Sequence, residues 1–128
     1  MSKIVLKNLA KHFGAVKAVD NLTLEIPAGS FTTLLGPSGC GKTTTLRMIA
    51  GLETPTDGEI WIGDQCVFSR REGRFVPAGD RGLGLVFQSY ALWPHLTVFE
   101  NIAFGLKIAK VKKAEVQKRV EETAEVLQ

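Results

Sequence analysis

The residues best suited to do chemistry form a glycine-rich run at positions 36–44, Gly-Pro-Ser-Gly-Cys-Gly-Lys-Thr-Thr. The run matches G-x-x-x-x-G-K-[ST], a loop in which backbone amides and the lysine hold phosphate groups. Its three glycines permit backbone angles that turn the N–H groups inward, which creates a concave anion site. The sequence therefore predicts a phosphate-binding loop in which Lys42 reaches the β- and γ-phosphates and the Thr43 hydroxyl ligates Mg²⁺.

The segments beside this loop have the order that the motif requires, a strand before it and a helix after it. Residues 31–35, Phe-Thr-Thr-Leu-Leu, form a short β-prone run, so we expect a strand there. Residues 42–50 contain neither Pro nor Gly and carry apolar side chains at helical spacing, which predicts a helix that ends at Gly51. Such a helix would offer unpaired N–H groups and the positive end of its dipole to the phosphate.

The rest of the chain predicts an α/β fold. Alternating or apolar runs predict strands at 4–6, 22–26, 59–62 and 83–87, with 66–68 as a hairpin partner of the third. Thr97 and Glu100 have the spacing of a capping box, so a helix is expected from near Val98. A second helix is expected from about Lys113 to the end of the chain, with apolar residues along one face at Val116, Val120, Ala124 and Leu127. The polar stretch 69–81 is expected to be an exposed loop.

Composition limits the class of protein. The chain has 128 residues, of which 45% are hydrophobic and 23% charged, and this is typical of one globular domain. The net charge of +3 is mild, so no nucleic-acid partner is expected. The start lacks the apolar core of a signal peptide, and no apolar run approaches the ~20 residues of a membrane span. We therefore expect a cytoplasmic protein whose membrane attachment, if any, comes through a partner.

Four stretches resemble the ATP-binding subunit of ABC transporters, and together they extend over nearly the whole chain. They are residues 9–14, 35–53, 58–60 and 84–101. The last, Gly-Leu-Val-Phe-Gln-Ser-Tyr-Ala-Leu-Trp-Pro-His-Leu-Thr-Val-Phe-Glu-Asn, resembles the family's Q-loop and the start of its helical subdomain. The sequence of this stretch most resembles those of importers of small solutes such as sugars, polyamines or ferric iron.

The resemblance implies a fold and a domain organisation. The fold would be a P-loop NTPase core of the RecA-like type with an ABC-type antiparallel β subdomain. Residues 1–88 would form the β subdomain and the P-loop core, and 89–128 the Q-loop and the start of the helical subdomain. The chain, 1–128, would then be the N-terminal part of one ATPase domain, truncated at the start of the helical subdomain.

The resemblance also assigns roles to individual residues. Phe13 would stack on adenine, and the amide oxygen of Gln88 would ligate Mg²⁺ and help to position the attacking water. Lys42 and Gln88 are the expected catalytic residues, and Thr43 and Gln88 the expected metal ligands. The expected ATP contacts are Phe13, Ala18, Gly36, Pro37, Ser38, Gly39, Cys40, Gly41, Lys42, Thr43 and Thr44.

The partners implied are those of an importer on the inner face of the plasma membrane. Tyr90, Leu92 and Trp93 follow the Q-loop, where the family receives a cytoplasmic helix of the transmembrane permease. A second ATP-binding subunit would complete the site, as a homodimer or a heterodimer, and an external solute receptor would act indirectly. The full-length subunit would hydrolyse ATP to power solute import.

Several of the family's motifs do not occur in this sequence. These are the Walker B strand ending in Asp-Glu, the Leu-Ser-Gly-Gly-Gln signature and the switch histidine. We therefore expect this chain to be the N-terminal half of a longer subunit. Alone it should bind Mg-nucleotide weakly, hydrolyse it negligibly, and be marginally stable or self-associating.

Three other functions remain open at this point. A soluble ABC-type ATPase of DNA repair or translation would share the P-loop but lack a membrane partner. A different P-loop enzyme, such as a small kinase, would act as a monomer; a GTPase would need Asn-Lys-x-Asp and Asp-x-x-Gly, and neither occurs. A binding module without catalysis would also fit the missing motifs.

Overall fold

An antiparallel sheet of five strands lies within residues 4–75 of the chain. The computed structural model describes residues 2–127 and divides into two compact units, with the boundary between Leu85 and Val86. The sheet lies in the first unit and has the order β2-β1-β3-β4-β5. Its strands are β1 (Ile4–Phe13), β2 (Val16–Ile26), β3 (Asp57–Ile62), β4 (Gln65–Ser69) and β5 (Arg74–Phe75).

The predicted strands at 4–6, 22–26 and 59–62 and the hairpin partner at 66–68 are confirmed, and β1 and β2 extend well beyond the predicted runs. In the register of the sheet, Leu6 of β1 lies opposite both Leu24 of β2 and Ile60 of β3. Leu6 and Ile60 are fully buried, because the period of two places these side chains on the core face. One face of the sheet is therefore apolar and forms part of the buried core.

The helix α1 (Lys42–Ala50) belongs to the same unit and ends at Gly51, as predicted. Gly51 has a φ of +80° and closes the helix with backbone bonds to Arg47 O and Met48 O, the usual role of a glycine after a helix. Met48 and Ile49 join the apolar face of the sheet. The buried cluster consists of Leu6, Leu9, Val19, Met48, Ile49, Ile60, Val67 and Phe68.

Arg81 is a buried cation, so the prediction of an exposed loop at residues 69–81 is wrong at this position. Only 4% of Arg81 is exposed. Its Nη1 donates to Met48 O and Ile49 O, each at 2.9 Å, and its Nε donates to Val76 O at 2.8 Å. Burial lowers the pKa of the guanidinium, and the carbonyls at the negative end of α1 stabilise its charge. Arg81 thus caps the C-terminal end of α1.

The second unit contains two helices, α2 (Val98–Ile108) and α3 (Lys113–Val126). The capping box is confirmed: the Thr97 side chain accepts from Glu100 N, and the Glu100 carboxylate accepts from Thr97 N. The hydrogen bond from this backbone amide lowers the pKa of Glu100. Val116 and Val120 pack against Ala103, but Leu127 is 79% exposed, so the predicted apolar face of α3 is buried only in part.

The strands predicted at 31–35 and 83–87 do not form, and these two predictions are wrong. Phe31 and Leu35 are almost fully exposed, as is Val86. A β-prone run becomes a strand only when another segment accepts its backbone hydrogen bonds. Among residues 2–127, neither segment joins the sheet.

We expect Arg81→Met to lower the free energy of unfolding by about 2 to 4 kcal/mol, because three buried carbonyl acceptors lose their donor. Urea unfolding followed by circular dichroism measures this change. Arg71→Met, which alters an exposed arginine of the same unit, should stay within about 0.5 kcal/mol of the parent. Equal losses in the two variants would contradict the capping role.

Candidate nucleotide-binding site

The glycine-rich loop leads directly into the N-terminus of α1. Gly39 and Gly41 have φ values of +82° and +89°, a region that residues with a side chain rarely adopt. Gly41 is the N-cap of α1; within the described residues no side chain caps the helix, and its first turn carries no acidic residue. The N-terminal N–H groups of α1 are therefore available to an anion.

Lys42 lies across the loop. Its Nζ donates to Gly36 O at 2.6 Å and to Pro37 O at 2.7 Å, and lies 3.3 Å from the Cys40 Sγ. The ammonium group is thus held at the concave side of the loop, beside the end of the helix. A positive charge on the loop and an uncapped helix N-terminus directly after it are both groups that bind phosphate.

The loop is fixed by a close approach between α1 and β2. A Cβ at Gly41 would lie 2.3 Å from Ala18 O, so only glycine fits there. Ala18, which the resemblance named as an ATP contact, therefore lies directly against the loop. A cavity of about 310 Å³ opens beside this contact, and its walls include Ala18, Asp20, Leu34, Cys40, Lys42 and Thr45.

The first turn of α1 supplies the remaining predicted residues. Thr43 is exposed at this turn and Thr44 is half-buried. Thr45, which is not among the predicted site residues, is 3% exposed, and its hydroxyl donates to Gly41 O at 2.9 Å. A threonine can donate its hydroxyl to the carbonyl four residues before it. The spacing of Gly41 and Thr45 in the sequence was therefore enough to predict this hydrogen bond. Thr45 thereby holds the first turn of the helix against the loop.

Phe13 stands at the end of β1 and is 50% exposed. The ammonium group of Lys11 lies 4.7 Å from the centroid of its ring. The side chain is therefore not a core residue of the sheet. A half-exposed ring with a cation nearby is a usable stacking surface.

Gln88 belongs to the second unit. It is exposed and lies in a bend just after the unit boundary. Of the three residues predicted to face a partner, Tyr90 is 95% exposed and Leu92 is 69% exposed. Trp93 instead packs against Phe104, with ring centroids 4.1 Å apart, and its backbone bonds to the Asn101 side chain.

A comparison with family models matches residues 19–128 to the model described as ABC transporter. The chain belongs to this family. The match includes the glycine-rich loop, α1 and the segment around Gln88, and it confirms the resemblance found in the sequence.

Relatives of this ABC-family chain are named as import proteins. It is 56% identical over 127 residues to the trehalose/maltose import ATP-binding protein MalK of Thermococcus litoralis, covering 99% of this chain and 34% of that protein. It is 51% identical to the maltose/maltodextrin import ATP-binding protein MalK of Vibrio parahaemolyticus, covering 100% of this chain and 33% of that one. The chain thus spans about a third of the length of these relatives.

A solved structure supports the fold class. A dimeric ATP-binding cassette in a post-hydrolysis state, bound to ADP and Pi, matches with a TM-score of 0.75 at 34% identity. The match covers 93% of this chain and 54% of that one. The predicted α/β, P-loop NTPase fold of ABC type is therefore confirmed. Among the residues that the structure describes, no helix is long and apolar enough to cross a membrane.

Two glycine variants separate backbone strain from steric exclusion in the loop. Gly41→Ala should lower the free energy of unfolding by roughly 3 kcal/mol or more, because positive φ and a clash with Ala18 O act together. A Cβ at Gly39 would have no atom within 4 Å apart from its own residue and the two adjacent residues. Only the positive φ then opposes Gly39→Ala, so a loss of about 1 to 2 kcal/mol is expected. Urea unfolding compares them, and a smaller loss for Gly41→Ala than for Gly39→Ala would refute the close approach.

Proposed function

We propose that this chain binds Mg-ATP at the glycine-rich loop and belongs to a subunit whose ATP hydrolysis powers solute import across a membrane. The observation that carries the proposal is the uncapped N-terminus of α1, with Lys42 held across the loop beside it. The names of the relatives, import ATP-binding proteins, support the physiological role.

The residues of the loop account for triphosphate binding. Lys42 exchanges its carbonyl acceptors for the β- and γ-phosphate oxygens, which bear full negative charge and form stronger hydrogen bonds. The N–H groups of residues 39–44 surround the same anion, with Ser38 and Cys40 at the free positions of the motif. Thr43 is the proposed Mg²⁺ ligand of the loop, since Mg²⁺ is commonly held by one or two protein oxygens plus substrate phosphates. The ion neutralises phosphate charge when it is bound.

Phe13 is the proposed platform for the adenine ring. A purine stacked on an aromatic side chain gains about 1 to 3 kcal/mol. The exposed half of the Phe13 ring provides the area for such a contact. We assign to Gln88, through its amide oxygen, the role of orienting Mg²⁺ and the attacking water, because a neutral amide can ligate and orient but cannot act as a base.

The chain acts with other subunits in this proposal. A second ATP-binding subunit would face the loop, and the dimeric state of the solved cassette supports this assembly. ATP would then favour the closed pair because it binds that state more tightly than the open one. Hydrolysis would involve groups from both subunits, so the isolated chain is proposed to bind ATP without turnover.

Transmembrane permease subunits are the proposed partners of the segment after Gln88, and an external receptor would deliver the solute. Tyr90 and Leu92 project an aromatic and an aliphatic side chain into solvent, and such groups are typical anchors of protein interfaces. The subunit would lie at the inner face of the membrane.

Trehalose, maltose, maltodextrin and sn-glycerol-3-phosphate appear in the names of relatives, so we propose a sugar or a related polyol as the solute. Residues 1–88 are the proposed β subdomain and P-loop core, and residues 89–128 the proposed Q-loop and start of the helical subdomain.

Lys42→Ala should weaken Mg-ATP binding at least about tenfold, because a charge-assisted contact to the phosphates is lost. Isothermal titration calorimetry on the chain and on this variant measures the dissociation constants. Lys17→Ala, an exposed lysine of β2, is the matched control and should bind as the parent does. Equal affinity of the parent and Lys42→Ala would refute the loop as the phosphate site, and rapid ATP turnover by the chain alone would refute the need for a second subunit.

Leu92→Glu should reduce the share of the subunit that sediments with membrane vesicles of its own cells by at least about fivefold, because a charge would enter an apolar contact. Ile108→Glu is the matched control: Ile108 is 67% exposed, close to the 69% of Leu92. Membrane recovery that is unchanged by Leu92→Glu, or lowered equally by both, would count against the proposed permease contact.

A further inference from the structure

We propose that Lys11 is a positioning residue that holds the Phe13 ring in place for the adenine base. This inference rests on the proposed base-stacking role of Phe13. It adds a residue near the C-terminal end of β1 that does not belong to the glycine-rich loop.

Lys11 and Phe13 lie two positions apart on β1, so their side chains emerge on the same face of the strand. The Lys11 Nζ lies 4.7 Å from the Phe13 centroid. The same nitrogen lies 2.5 Å from Glu53 Oε1 and donates to Thr54 O at 2.8 Å. The ammonium group therefore bridges the ring to the segment that follows α1.

This bridge is largely shielded from solvent. The Lys11 side chain is 14% exposed and the Glu53 side chain 27% exposed, whereas the other ion pairs of the described sheet involve at least one side chain that is more than half exposed. An ion pair that is shielded from water holds a defined geometry more firmly than one on an open surface. Lys11 is accordingly a fixed cation next to the ring.

Backbone contacts fix both partners of the bridge. Thr56 N donates to Ala10 O at 2.8 Å, and the Thr56 hydroxyl accepts from His12 N at 2.9 Å, so the end of β1 is bound to the segment after Glu53. Glu53 N also donates to Arg47 O in the last turn of α1, at 3.2 Å. The lysine thus ties Phe13 to the C-terminal end of the same helix whose N-terminus carries the phosphate loop.

Two physical consequences favour binding of a base. Holding the ring before the base arrives removes part of the side-chain entropy that stacking would otherwise cost. The cation also attracts the negative face of the ring and can occupy only one of its two faces. Half of Phe13 remains exposed, which leaves area for a flat ligand. Lys11 should therefore affect affinity for the base and leave affinity for the phosphates unchanged.

The test compares Mg-ATP with Mg-tripolyphosphate, which has the phosphates but no base, by calorimetry on the whole chain. Lys11→Met should weaken ATP binding roughly three- to tenfold and leave tripolyphosphate binding unchanged. Lys7→Met is the matched control, because Lys7 lies on the same strand with its Nζ 4.9 Å from the Trp61 ring centroid; it should change neither affinity. The double variant Lys11→Met, Phe13→Ala should bind ATP as weakly as Phe13→Ala alone, since both changes remove one platform.

Each other result overturns a distinct claim. Normal ATP binding by Lys11→Met, an equal loss of both ligands, or additive losses in the double variant would overturn the role of Lys11. Normal ATP binding by Phe13→Ala would overturn the adenine platform and, with it, the role of Lys11. Failure of Lys42→Ala to weaken either ligand would overturn the phosphate site itself, independently of Lys11.

Discussion

The close approach of Gly41 to Ala18 O is the constraint on which the candidate site depends. A Cβ at Gly41 would lie 2.3 Å from that oxygen, so the start of α1 can be this near to β2 only because the residue is glycine. The contact fixes the direction of the N–H groups at the start of the helix and the backbone position of Lys42, the residue that follows Gly41. A phosphate site made of backbone dipoles needs this rigidity, because dipoles hold an anion only when they converge on it.

The opposite end of α1 is fixed by charged side chains from elsewhere in the first unit. Arg81 donates to the last carbonyls of the helix, and Lys11 reaches Glu53 and Thr54 just after it. A helix of nine residues is too short to be stable alone, so its position is set by packing and by these contacts. The proposed nucleotide site therefore depends on residues well outside the glycine-rich loop, and the proposed base platform is connected to the same helix.

In the second unit, local hydrogen bonds hold the segment before α2, and some side chains of that segment remain exposed. The capping box starts α2, and the Asn101 side chain holds the backbone of Trp93 and Leu96. Trp93 packs in part against Phe104 and is 40% exposed, whereas Tyr90 and Leu92 are 95% and 69% exposed. Of the three residues that the resemblance assigned to a partner, Tyr90 and Leu92 offer the larger exposed fractions, because the Trp93 ring also contacts Phe104.

The sequence by itself determined the features that depend on neighbouring residues: the glycine-rich loop, the end of α1 at Gly51, the capping box at Thr97, the β3–β4 hairpin and membership of the family. Strand formation at 31–35 and 83–87 could not be judged in this way, because a strand needs a partner distant in the chain and the pattern does not say whether one is present. The buried role of Arg81 and the bridge from Lys11 to Thr54 join residues 32 to 43 positions apart. Only the tertiary structure decided these contacts, because a charged residue in a polar stretch looks the same in sequence whether it faces water or the open end of a helix.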